Sequence, residues 1–141
     1  MTALAAWADL ETPLDEGPVF YVEPTDKSPA TETERVVAFR QLFRLAYPRC
    51  ILIAVPNGAK RSQWALNQAL REGMHLGAPD LFVFAPGGKC AALEFKAGKG
   101  KPTSRQVDCL NALYRMGFAV AVVRTPEGAT RFLRERGFGD G

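Results

Sequence analysis

Between residues 31 and 137 the chain switches repeatedly between two spacings of apolar residues. Val36, Phe39, Phe43 and Ala46 recur every three or four positions, which puts them on one face of an α-helix. Thr31 and Glu34 bracket its start as a capping box, and Pro48 ends it. Cys50–Val55 is a short β-prone run closed by the turn residues Pro56, Asn57 and Gly58. Ser62 to Arg71 reads as a second helix, capped by Ser62 and stopped by Gly73. Asp80–Phe84 and Cys90–Lys96 read as strands, and Pro86, Gly87 and Gly88 between them predict an antiparallel hairpin. Ser104 is predicted to cap a third helix, with Val107, Leu110 and Leu113 facing inward and Gly117 at its stop. Phe118–Val123 is almost unbroken apolar sequence, as expected of a strand buried on both faces. A last helix runs from Pro126 to about Arg136. This order predicts an α/β domain with a mixed central sheet and helices on both sides.

Residues 1–30 break the pattern. Pro13, Pro18, Pro24 and Pro29 stand among scattered acids, with one apolar stretch at Val19–Val22. The segment reads as an acidic, proline-containing N-terminal arm, extended and partly ordered, with room for one strand. Residues 31–137 then form the folded domain, and residues 138–141 a flexible tail. A length of 141 residues suits one modest domain, and 47% hydrophobic with 23% charged residues excludes wholesale disorder. No apolar run reaches the roughly 20 residues of a membrane helix, so no membrane association is expected. The first residues carry no early positive charge and soon meet Asp9 and Glu11, a poor secretion signal. Cys50, Cys90 and Cys109 are an odd, widely spaced set that suits a reducing cytoplasm better than a disulfide framework or a metal knuckle. With His75 alone, any mechanism that needs two histidines is excluded.

Charge sharpens the picture. Residues 1–34 carry eight acids against Lys27, a net −7, while the remainder carries 17 basic and 7 acidic residues, a net +10. A body this basic suits a polyanionic partner such as nucleic acid, although solubility alone also accounts for it. The acidic arm either folds back over the polyanion site or is a solvated leader.

The chemistry concentrates in Asp80 and, after thirteen intervening residues, Glu94-Phe95-Lys96. Glu94 and Lys96, two apart on a strand, project from one face, while Leu93 and Phe95 face the other. Asp80 opens the partner strand of the hairpin and so comes beside Glu94. Two carboxylates at close range repel unless a cation sits between them, and Mg²⁺ prefers such oxygen ligands. A metal-bound water is then a nucleophile for a phosphodiester, with Lys96 to orient it or to balance phosphoryl charge. The alternative is an ordinary surface hairpin carrying a Glu–Lys pair. Against that, both acids are set in very apolar strands, where ionised groups are costly without partners. A Gly98–Lys101 loop and the start of a helix at Ser104 follow at once, both suited to phosphate.

The sequence resembles the PD-(D/E)XK nuclease superfamily and, within it, the VRR-NUC domain. The resemblance runs collinearly from Glu32 through Tyr47-Pro48, Val55–Gly58 with Arg61, Gly77–Phe82, Glu94-Phe95-Lys96, Gly98–Lys101 and Ser104–Gln106. It implies a restriction-endonuclease-like α-β-β-β-α-β core and Mg²⁺-dependent hydrolysis of DNA, with Mn²⁺ as substitute. By the same resemblance Asp80, Glu94, the Phe95 carbonyl and Glu32 would be metal ligands, Lys96 the catalytic lysine and Gln106 a supporting glutamine. Small stand-alone members, found in phage and bacteria, are similar to homodimeric resolvases of branched DNA such as four-way (Holliday) junctions. Ala78 departs from the valine frequent between the glycine and proline of this family. Glu32 is preferred to Glu34 because it shares the helical stripe of Val36, Phe39 and Phe43, whereas Glu34 serves the capping box.

Asn57, Lys60, Arg61, Lys99, Lys101, Ser104 and Arg105 are the expected DNA contacts, with a plain turn as the other reading of Asn57–Arg61. Trp64 is assigned to core or dimer packing before base stacking, and His75 to a loop without catalytic duty. Arg131, Arg134 and Arg136 read as a solvated helix face before a DNA patch. Two rival functions stand beside the DNA endonuclease: a non-catalytic DNA-binding module of nuclease fold, and a nuclease for RNA or single strands.

Overall fold

The computed structural model describes residues 16–56 and 62–139. Their elements are β1 (Tyr21–Val22), α1 (Glu32–Ala46), β2 (Ile51–Ala54), α2 (Gln63–Arg71), β3 (Leu81–Ala85), β4 (Lys89–Phe95), α3 (Ser104–Arg115), β5 (Ala119–Val123) and α4 (Pro126–Glu135). The strands form one mixed sheet in the order β1-β5-β4-β3-β2. β4 pairs antiparallel with β3 and parallel with β5, and β1 adds a parallel edge within the stretch Val19–Val22. The restriction-endonuclease-like core expected from the sequence is present, with α2 set between its first two strands.

One side of the sheet packs Leu81, Val83, Leu93, Phe95, Ala121 and Val123 against α1 and α4 through Phe39, Phe43, Phe132 and Leu133. The other side packs Ala92, Val120 and Val122 against Leu110 of α3 and against Phe20. Each fully buried Leu or Phe contributes about 1.5–3 kcal/mol of transfer free energy, so the two layers fix the sheet firmly. β5 lies between β1 and β4, and four of its five residues are buried, which explains its unbroken apolar sequence.

Three expectations need correction. α3 is capped by Thr103, not Ser104: Thr103 has extended backbone, its hydroxyl accepts from the Gln106 amide, and Gln106 returns the bond to the Thr103 amide. Ser104 is thus the first helical residue. Trp64 is 72% exposed, so it is no core residue, and α2 buries none of its residues. Phe138, assigned to a flexible tail, is buried in the α1/α4 layer, where its amide donates to Leu133 O. Among the described residues no helix is long and apolar enough to cross a membrane.

Candidate metal centre

Sheet topology brings the carboxylates together. Because β3 and β4 run antiparallel with Leu81 opposite Leu93, the residue before β3 falls opposite the penultimate residue of β4. Those residues are Asp80 and Glu94. The Phe95 amide donates to Asp80 Oδ2 at 2.9 Å and ties the two strand ends together. Glu32, the first residue of α1, completes a group in which one carboxylate oxygen from each of Glu32, Asp80 and Glu94 lies within 4.8 Å of the others. Glu34, two residues on, instead accepts the Thr31 amide in the capping box.

Glu94 is the deepest member, 1% exposed. Its Oε2 accepts from Gln106 Nε2 at 3.1 Å and lies 3.5 Å from Lys96 Nζ. The Gln106 oxygen is meanwhile held by the Thr103 amide at 2.8 Å, so the amide group can point only one way. Glu94 Oε1 is buried and has no hydrogen-bond partner among the described residues. A buried carboxylate oxygen without a partner is costly, and an oxygen-seeking cation would satisfy it. Burial, and then the charge of Asp80, pushes the Glu94 carboxyl up to about 8, while Lys96 draws it down. Burial raises Asp80 as well, opposed by the Phe95 amide and Lys96. Without a cation the Asp80–Glu94 pair therefore takes up a proton more readily than two free carboxyls would. The donor set, all hard oxygen with one amine at its rim, fits Mg²⁺ or Mn²⁺.

Gly77 seats the turn that leads into Asp80. Its φ of +87° is costly for other residues, and a Cβ there would stand 2.5 Å from the Arg105 carbonyl of α3. The Gly77–Pro79 turn thus rests directly on the first turn of the helix that carries Gln106.

Lys99, Lys101, Ser104 and Arg105 are exposed on the loop and helix start that follow Lys96. Asn57, Lys60 and Arg61 lie outside the described residues. His75 is exposed on the turn before Gly77, and Cys109 is buried in α3, its thiol pushed up to about 11 by burial and by Glu94. Two buried arginines escaped the sequence reading: Arg35 at 4% and Arg124 at 2% exposure. For Arg35 the signal was available, since it lies four and eight residues before the buried Phe39 and Phe43, a charge in core phase.

No family model and no curated protein matches the sequence. Among solved structures, the fold matches a protein described as a VRR_NUC domain protein, with a TM-score of 0.62 and 17% identity over 77% of this chain and 89% of that one. The topology around the carboxylate cluster and this structural likeness agree: the chain carries the VRR-NUC fold.

Proposed function

We propose that the protein is a divalent-metal-dependent DNA endonuclease that hydrolyses phosphodiester bonds. One observation carries this reading above the rest: three carboxylates converge within 4.8 Å, and the most buried of them keeps an unpartnered oxygen. Glu32, Asp80 and Glu94, with the Phe95 carbonyl, are the residues that would hold Mg²⁺, or Mn²⁺ in its place. When bound, such an ion acidifies a water and polarises the phosphoryl oxygen.

The chain's own groups account for the remaining work. Gln106 takes up Glu94 Oε2 and so leaves Oε1 for the cation. Lys96, held near Glu94 Oε2, orients the attacking water and offsets negative charge that grows on the phosphoryl group. Water oxygen bonds to phosphorus in line, one P–O ester bond breaks, and the leaving oxygen takes a proton. The products are a phosphate monoester and a free hydroxyl. Lys99, Lys101 and Arg105, with the α3 N-terminus at Ser104, bind flanking phosphates, joined by Asn57, Lys60 and Arg61.

Branched DNA, four-way junctions in particular, is the proposed substrate, and a homodimer the proposed working form. Both follow the VRR-NUC resemblance. The sheet supports the dimer: β2 is an edge strand whose Ile51 and Ile53 are 62% and 50% exposed, and Phe84, opposite Ile51, is 41% exposed. α3 covers the other half of that face, so an apolar patch remains for a second copy.

The test is cleavage, with Mg²⁺, of a panel of four-way junction, flap, duplex and single-stranded DNA and single-stranded RNA. Junction cutting is expected. Asp80→Ala and Lys96→Ala should each lose at least about 100-fold in rate while retaining DNA binding in Ca²⁺. A wild-type protein that nicks nothing with Mg²⁺ or Mn²⁺ establishes the non-catalytic module instead, and cutting confined to RNA establishes the RNA reading.

A further inference from the structure

Glu32 occupies the weakest place in the proposed centre. It is exposed and opens a helix, where the first amides have no intrahelical acceptor and the turn frays readily. One turn further on, Arg35 is anchored. Its Nε donates to Ala30 O at 2.9 Å, Nη1 to Asp26 Oδ2 at 2.6 Å and Arg124 O at 2.7 Å, and Nη2 to Asp26 Oδ1 at 2.9 Å and Ser28 O at 3.1 Å. Those five bonds use every N–H of the guanidinium. Four of the five acceptor atoms belong to residues 26–30, just before α1, and Asp26 supplies the only carboxylate among them.

The same segment is tied down on its other side. The Asp26 amide donates to Gly98 O at 3.3 Å, and Arg124 Nη1 donates to that carbonyl at 2.9 Å while its Nε donates to Glu23 O at 2.8 Å. Residues 23–28 therefore bridge the start of α1, the end of β5 and the loop that follows Lys96.

We infer that Asp26 is a positioning residue: through its two-pronged bond to Arg35 it holds the first turn of α1 so that Glu32 stays at the Asp80–Glu94 pair. The inference rests on the metal-holding role proposed for Glu32, so its test has one arm that does not. In metal-free protein, hydrogen exchange at residues 34–38 should quicken in Asp26→Ala and, less, in Asp26→Asn, while α3 amides are unchanged. The second arm is a titration of Mn²⁺ followed by the EPR signal of the free ion. Asp26→Ala should weaken Mn²⁺ binding about 10-fold, the usual range for a group that orients a ligand. The double variant with Glu32→Ala should bind no more weakly than Glu32→Ala alone, because both changes remove one interaction. Losses that add, or exchange at residues 34–38 that does not change, overturn the inference. A wild-type protein that takes up no Mn²⁺ contradicts the metal centre itself, and the exchange arm then still decides whether Asp26 holds the turn.

Discussion

Glu94 shows how a single carboxylate is made both unstable and useful. The β4 strand buries it, Asp80 faces it, and Gln106 and Lys96 satisfy only one of its oxygens. The native protein therefore binds the Glu94 proton more tightly than the unfolded chain does, with the carboxyl near 8 against an ordinary 4.5. Between those two values the unfolded state loses its proton first. Stability tied to this group is thus full below about pH 4.5 and lost as pH rises through 8. Melting temperatures of metal-free protein in chelator should fall across that window. Glu94→Gln should flatten the fall, and Mg²⁺ should reverse it in the wild type, since a cation replaces the proton. A melting temperature that rises from pH 5 to 8 in chelator would contradict the buried, unpartnered state of Glu94.

At the scale of elements, caps do much of the positioning. The Thr103–Gln106 capping box starts α3 and aims Gln106 at Glu94, so one local motif serves both helix and site. The Thr-x-x-Gln spacing was legible in the sequence, but the adjacent Ser104 competes for the same role. Only the extended backbone of Thr103 separates them. The start of α4 is stranger. Glu23 enters from the N-terminal segment and accepts from Thr125 Oγ1 at 2.9 Å and the Arg124 amide at 3.3 Å, in space that a Cβ on Gly128 would overlap. Gly128 is helical with ordinary φ, so alanine there would ordinarily stabilise by about 0.4–1 kcal/mol. Here Gly128→Ala should destabilise by about 1 kcal/mol, because it pushes the Glu23 side chain off the N-cap residue Thr125. Chemical denaturation of both proteins checks the sign. A gain in stability would mean that Glu23 contributes nothing to α4.

For the whole molecule, the helices, the hairpin and the Asp80–Glu94–Lys96 constellation were readable because they depend on period and on strand pairing. Residues separated by a hairpin must meet at its open end, and Asp80 and Glu94 do. The N-terminal segment was not readable in the same way. Its prolines and acids look like a solvated arm, yet Glu23 and Asp26 meet Arg124 and Arg35 across the fold, and Glu16 meets Arg115. Such hydrogen bonds and ion pairs leave no periodic trace, and the net −7 against +10 marks only that the two halves attract. The exposed face at β2 has a related origin: its alternation is apolar on both sides, which one copy of the domain leaves half covered. Ile53→Lys should convert a dimer to a monomer in sedimentation velocity without lowering the melting temperature of the monomer. A wild-type monomer at tens of micromolar would rule out the proposed dimer.

Glu32, Asp80 and Glu94 are proposed to hold one divalent cation. Anomalous diffraction at the manganese edge, from crystals grown with Mn²⁺, reads it directly. The expected result is a peak at bonding distance from Glu94 Oε1 and from a carboxylate oxygen of Asp80 and of Glu32, absent in Asp80→Ala crystals. A cluster without a peak, its three carboxylates turned away from one another, would contradict it.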